Sequence, residues 1–110
     1  MAGGLARGDV RLYQFTRPDK RRLVVVLTRG VIIRHLSTVT VAPITSTVRG
    51  AVSEVALDEE DGMKGACAVN LHNVITVPQQ RLGKLVAQLG SRRMSEICSA
   101  LRFSLGCEPQ

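Results

Sequence analysis

With 110 residues, the chain has the length of one domain with a single modest core. Its longest apolar run, residues 23–27, is far too short to span a membrane. Only three residues are aromatic, so the core must consist of Val, Leu, Ile and Ala. The net charge of +6 favours an acidic partner, such as nucleic acid or an acidic protein.

The cysteines indicate the redox compartment. Cys67, Cys98 and Cys107 do not have the spacing of a metal site, and their number is odd. Without a recognisable signal peptide, this usage predicts free thiols in a protein of the reducing cytoplasm, with no bound metal or cofactor.

The first half of the chain reads as short strands. Residues 1–6 are small and Gly-rich and are predicted to be disordered. A strand over residues 8–14 precedes a basic turn at residues 16–22, and residues 23–27 (LVVVL) form a strand buried on both faces. Residues 28–36 predict a short helical turn, whose inward residues are Val31, Ile32 and Leu36.

Residues 39–50 combine a strand with a polar turn. The strand covers residues 39–44, and Pro43 places it at a sheet edge or at its own end, because proline lacks a ladder donor. The hydroxyls of Thr45, Ser46 and Thr47 follow, and then Arg49. This arrangement suits a phosphate, although a solvated hairpin turn has the same composition.

The second half continues with short strands and ends in a helix. Strands are predicted at residues 52–57, with Val55 and Leu57 inward, then at 66–71, 73–77 and 83–89, with turns at 58–62 and 78–82. Ser91 caps a helix that Gly106 ends, and its apolar stripe is Met94, Ile97, Cys98, Leu101 and Leu105. Residues 1–110 therefore form one mainly β domain, a small partly open barrel or sandwich with a C-terminal helix.

An ordered set of segments resembles the MazF/PemK family of toxin endoribonucleases. The segments are RGDV at 7–10, RLVVVL at 22–27, VAPITSTVRG at 41–50, EVALDEEDGM at 54–63, TVPQQRLGKL at 76–85 and ALRFSLG at 100–106. The resemblance implies an SH3-like barrel of the CcdB/PemK type, a homodimer, and metal-independent cleavage of single-stranded RNA. It also implies neutralisation by a cognate MazE-type antitoxin with an acidic tail.

The resemblance assigns the catalytic roles to Arg22 and Thr45. It implies RNA contacts from the neighbouring hydroxyl and basic residues and from one amide: Ser46, Thr47, Arg17, Lys20, Arg21, Arg49 and Asn73. Three departures from the family pattern bear on base preference and catalytic efficiency. Leu23 follows Arg22 where the family usually has Pro. The loop before Arg22 is shorter than in the family and has no Glu, and the usual DQIR segment reads HNVI at residues 72–75.

The predicted chemistry is attack of the RNA 2′-hydroxyl on the adjacent phosphorus. A guanidinium fork matches phosphate oxygens, and a threonine hydroxyl adds a donor for the developing charge. Arg22 is a poor general base because an arginine side chain stays protonated in proteins. His35 and His72 are the candidates for that role.

Two other functions stay open at this point. A CcdB-like toxin of the same fold inhibits DNA gyrase without chemistry and would not need Arg22 or Thr45. A passive RNA-binding barrel would need aromatic stacking platforms, and the chain has only Tyr13, Phe15 and Phe103.

Overall fold

The computed structural model describes residues 4–15 and 21–107. Within these ranges the elements are β1 (Asp9–Gln14), β2 (Arg21–Val26), α1 (Gly30–Ile33), β3 (Thr38–Thr45), β4 (Glu54–Leu57), β5 (Cys67–Asn70), β6 (Ile75–Pro78), β7 (Leu82–Gln88) and α2 (Ser91–Leu105). Single 3₁₀ turns at Glu59–Asp61, Leu71–Asn73 and Gln79–Arg81 connect the later strands. The predicted order of elements is thereby confirmed.

The strands form one antiparallel sheet. Its order is β4-β5-β3-β2-β1-β7, and β6 pairs with β3 outside this path. The mainly β architecture with a C-terminal helix is confirmed. Among the described residues β4 and β7 do not pair with each other, so the sheet is open and the term barrel applies only loosely.

Strand β2 separates two apolar clusters. Val24, Val25 and Val26 are completely buried, as the continuous apolar run predicts for a strand covered on both faces. Because side chains alternate along a strand, Val25 points into a first core under α2, whereas Val24 and Val26 point into a second core. Leu5 packs against the second core, although the composition of residues 1–6 predicts disorder.

The prediction for Pro43 is wrong. Strand β3 is central and continues through the proline to Thr45. One edge of β3 pairs with β6 up to Val41 and with β5 from Ile44 onward, so Pro43 lies where the strand changes partners. The missing N–H of Pro43 is tolerated on that edge because neither β5 nor β6 pairs with this residue.

Two helical predictions also need correction. In α1 the inward residue is Ile33, whereas Val31, Ile32 and Leu36 are exposed. The four-residue helix turns only one side chain toward the sheet. In α2 the buried residues are Ile97 and Ala100, whereas Leu105 is exposed. The N-cap is Gly90 rather than Ser91, which is the first helical residue; the helix ends at Gly106 as predicted.

A mostly buried ion pair connects the acidic turn to α2. Arg93 Nε lies 3.1 Å from Asp61 Oδ1, and the Asp58 backbone N–H donates to Asp61 Oδ2. Burial alone would raise the pKa of Asp61. The hydrogen bonds from Arg93 and Asp58 and the charges of Arg93 and Arg92 outweigh it, and the pKa lies below its ordinary value.

The Asp61→Asn substitution should therefore lower stability in a pH-dependent way. The stabilisation exists above the unfolded-state pKa of about 3.9 and is lost as pH falls toward the lower folded-state pKa. At pH 7 the free energy of unfolding should fall by about 1–3 kcal/mol, and the difference from wild type should shrink at pH 2–3. Urea unfolding at both pH values measures this, with the exposed Glu59→Gln as the control. An equal deficit at both pH values would contradict the assignment.

Candidate functional site

The hydroxyl cluster begins at the last residue of β3. Thr45 is half-buried, and Ser46 and Thr47 are exposed. The Thr47 backbone N–H donates to Thr45 Oγ1 over 3.1 Å. This local turn occupies an acceptor position of the Thr45 hydroxyl and leaves its proton free to donate to an anion.

Arg22 lies on the neighbouring strand beside this hydroxyl. Strands β2 and β3 are antiparallel, and Val24 lies opposite Pro43. Continuing the same register by two residues places Arg22 opposite Thr45, within the reach of directly opposed side chains. Arg22 is exposed, and no described carboxylate forms an ion pair with it. The guanidinium is therefore available to a phosphate.

Arg22 and Thr45 line a polar groove of about 350 Å³. Its other lining residues are Pro43, Thr47, Arg49, Glu54, Asn70, His72 and Asn73. We call it the small groove. Glu54 Oε1 accepts hydrogen bonds of 3.0 Å from the backbone N–H groups of Arg49 and Gly50. This carboxylate thus holds the turn that carries Arg49.

A 3₁₀ turn supplies the only histidine of the small groove. Asn70 Oδ1 accepts from the His72 backbone N–H, and the Ser53 carbonyl accepts from the Leu71 N–H. Ser53 Oγ also lies 2.5 Å from His72 Nδ1. With Nδ1 donating to this hydroxyl, Nε2 keeps its lone pair and is able to accept a proton.

The structure brings most of the predicted residues together. Thr47, Arg49 and Asn73 join Arg22 and Thr45 in the small groove, whereas Arg21 and Ser46 lie in an adjoining larger groove. Arg17 and Lys20 lie outside the described residues. His35 follows α1, contacts the Arg34 side chain and lines neither groove.

Sequence reasoning missed the supporting residues Ser53, Glu54 and Asn70. Ser53 and Glu54 read as ordinary members of a strand. Asn70 carried a usable signal, because asparagine before a helical turn is a common cap. In the described part of the chain, no three His, Cys, Asp or Glu side chains are placed to hold a metal ion. No helix there is long and apolar enough to cross a membrane.

Comparison with known proteins identifies the family. The model of the PemK-like, MazF-like toxins of type II toxin–antitoxin systems matches residues 6–105. The chain belongs to this family. Endoribonuclease MazF3 of Mycobacterium tuberculosis is 40% identical over 83 residues, which is 76% of this chain and 81% of that protein.

Solved structures agree with the family assignment. The M. tuberculosis toxin MazF-mt6 is 35% identical, with a TM-score of 0.81 over 89% of this chain and 96% of its own. A mycobacterial endoribonuclease in complex with its cognate antitoxin has a TM-score of 0.87. This second structure is 23% identical and covers 97% of this chain and 100% of its own. At that identity the similarity shows the fold alone. The predicted MazF/PemK toxin is confirmed, and the CcdB-like alternative is not favoured.

Proposed function

We propose that this MazF-family toxin is an endoribonuclease that cleaves single-stranded RNA at specific sequences without a metal ion. The observation that carries the proposal is that Arg22 of β2 and Thr45 of the neighbouring β3 line the same polar groove. The 2′-oxygen forms a bond to the adjacent phosphorus while the bond to the 5′-oxygen breaks. The products are a 2′,3′-cyclic phosphate and a 5′-hydroxyl.

Arg22 and Thr45 stabilise the charge that develops on the phosphorane oxygens. The guanidinium offers two parallel N–H donors, and Thr45 offers an O–H that the Thr47 amide has already oriented. A groove that fixes these donors before the substrate arrives needs little reorganisation during the reaction. Arg49 adds a second positive charge at the rim of the small groove.

His72 is the general base in this proposal. Its Nε2 takes the proton of the 2′-hydroxyl, while Arg22 is the donor that protonates the departing 5′-oxygen. Ser53 Oγ fixes the ring through Nδ1, and the Asn70 side chain fixes the turn that carries it. Glu54 is the less suitable base because two backbone amides already bind its Oε1.

The proposal extends to partners and location. The toxin acts in the cytoplasm as a homodimer, and a MazE-type antitoxin with an acidic segment neutralises it. The antitoxin bound to the mycobacterial structural relative supports the partner class. The net charge of +6 supports both RNA and an acidic peptide as ligands.

The test is to incubate the purified protein with a long single-stranded RNA in EDTA and to map the cut ends. Discrete cuts with 5′-hydroxyl and 2′,3′-cyclic phosphate ends are expected, and they also give the recognition sequence. A substrate with a single 2′-deoxynucleotide at the cut position should resist, because it lacks the attacking group. A folded protein that cuts no RNA but inhibits DNA gyrase would overturn the proposal.

Replacement of His72 by glutamine should slow cleavage by about 100-fold, the low end for general-base catalysis. Glutamine keeps a polar side chain at this position but cannot take the proton of the 2′-hydroxyl. The loss should therefore lie in kcat, with KM close to that of the wild type. The charged groups sharing the groove, Arg22, Arg49 and Glu54, stay in place in the variant.

The control for His72 is His35→Gln, which removes the other histidine from outside both grooves. It should keep the wild-type rate. A Ser53→Ala variant should cut RNA at a rate between those of the wild type and His72→Gln, because it loosens the ring but leaves the base. If His72→Gln keeps the wild-type rate, another group removes the proton.

A further inference from the structure

A larger groove of about 960 Å³ adjoins the small groove and shares Arg22, Thr45 and Thr47 with it. It crosses four neighbouring strands in the order β3, β2, β1 and β7. Leu12 on β1 lies opposite Leu23 on β2, and Lys84 and Val86 extend the row on β7. The loop at residues 62–66 and the first residue of β5 form one side. We call it the large groove.

The floor of the large groove is apolar. Ile44, Met63 and Cys67 belong to the first core cluster, and Leu23 packs against it. Val86 adds exposed apolar surface on β7. The described lining contains no aromatic side chain, so a ligand would contact aliphatic groups rather than a stacking platform.

The rim of the large groove is positively charged. Its described lining holds four cations, Arg21, Arg22, Lys64 and Lys84, and no carboxylate. Lys64 and Lys84 are exposed and lie on separate elements, the 62–66 loop and β7. The nearby Asp61 carboxylate is paired with Arg93 of α2 instead. An apolar floor with a cationic rim suits a ligand that combines planar apolar groups with anionic groups.

We infer that the large groove is a second RNA subsite, in which Lys64 and Lys84 bind phosphates on one side of the cleaved bond. The inference rests on the proposed function, because the shared residues Arg22 and Thr45 then hold the cleaved phosphate. One strand passes from the small groove over these residues into the large groove. Its bases lie on the aliphatic floor, and its phosphates follow the lysines.

RNA fits this surface better than an acidic peptide. Thr47 lines both grooves and Ser46 lines the large groove, and their hydroxyls provide donors along a phosphate backbone. The large groove is also continuous with the Arg22 and Thr45 pair, whereas a peptide has no need of that junction. Binding of the antitoxin alone is the competing outcome in the test.

The experiment compares Lys64→Ala, Lys84→Ala and the double variant with wild type and with Arg29→Ala. Arg29 is an exposed cation that lines neither groove, so its variant is matched in charge. Each lysine variant should raise KM for a long RNA by about 5- to 10-fold and leave kcat within about two-fold. The slope of log affinity against log salt should fall by about 0.7 for each lysine, as expected for lost phosphate contacts on a single strand. Arg29→Ala should change neither quantity.

Direct binding separates this inference from the proposed function. Fluorescence anisotropy in EDTA measures affinity without cleavage when the RNA carries 2′-deoxynucleotides at its cut positions. If the wild type cuts no RNA, the unmodified RNA is used as the probe. Lysine-dependent affinity with the reduced salt slope supports the subsite whether or not the wild type cuts RNA. Unchanged affinity and slope in the double variant would overturn it. The inference would also be overturned if the lysine variants lost affinity for the antitoxin but kept their affinity for RNA.

Discussion

Replacing Arg22 by alanine is expected to slow RNA cleavage by about 100- to 1,000-fold, as for the loss of one preorganised donor to a transition-state oxyanion. Arg22 lies opposite Thr45 in the extended β2–β3 register and has no described carboxylate partner. Its loss removes a charge that faces the groove and leaves no buried partner unsatisfied. The fold and its stability should therefore be close to wild type, and the effect should lie in kcat.

Single-turnover cleavage of a mapped RNA site measures this effect, with circular dichroism and urea unfolding as checks on the fold. Arg22→Lys keeps the charge but loses the guanidinium fork, so it should recover only part of the rate. Arg29→Ala is the control for lost net charge. If a folded Arg22→Ala variant cleaves RNA at the wild-type rate, Arg22 is not the catalytic cation. Arg49, which lines the same groove, would then be the next candidate.

The sheet was predictable where one short-range pattern dominates. The unbroken LVVVL run gave a strand covered on both faces, and its three central valines are completely buried. Val55 and Leu57 were likewise predicted as inward residues from alternation alone, and both are buried. In these segments the period of the apolar residues determines which face is covered.

The errors arose where long-range pairing decides the outcome. Pro43 has the local character of a strand end, but β3 changes partners at that residue, and the partners come from β5 and β6 much later in the chain. In α1 the apolar residues outnumber the positions that face the sheet. Periodicity over four residues therefore could not identify Ile33 as the buried one.

The candidate site shows the same division. Arg22 and Thr45 were selected by resemblance, and the register of β2 and β3 gives their proximity a physical basis. Ser53 and His72 are 19 residues apart, and only the fold brings them into a 2.5 Å contact. Lys64 and Lys84 are 20 residues apart in the chain, and only the fold brings them to the same groove.

Truncating Ile97 to alanine is expected to lower the free energy of unfolding by about 2–5 kcal/mol, the usual range for a large-to-small change in a core. Ile97 is completely buried and belongs to the first core cluster. Through this cluster α2 packs against β4 and the 3₁₀ turn that carries His72. A domain of this size has a total stability of about 5–15 kcal/mol, so the loss is a large share of it.

Urea unfolding of Ile97→Ala and Phe103→Ala measures the contribution of this contact. Phe103 lies on the same helix, but 48% of it is exposed, so its truncation should cost well below 2 kcal/mol. Because α2 supports the turn that carries His72, Ile97→Ala should also lose RNA cleavage at a lower urea concentration than wild type. Equal losses in the two variants would mean that the whole apolar face of α2, rather than Ile97, anchors the helix. Unchanged stability in both would mean that the sheet folds without α2, and the position of His72 would then have to come from Ser53 and Asn70 alone.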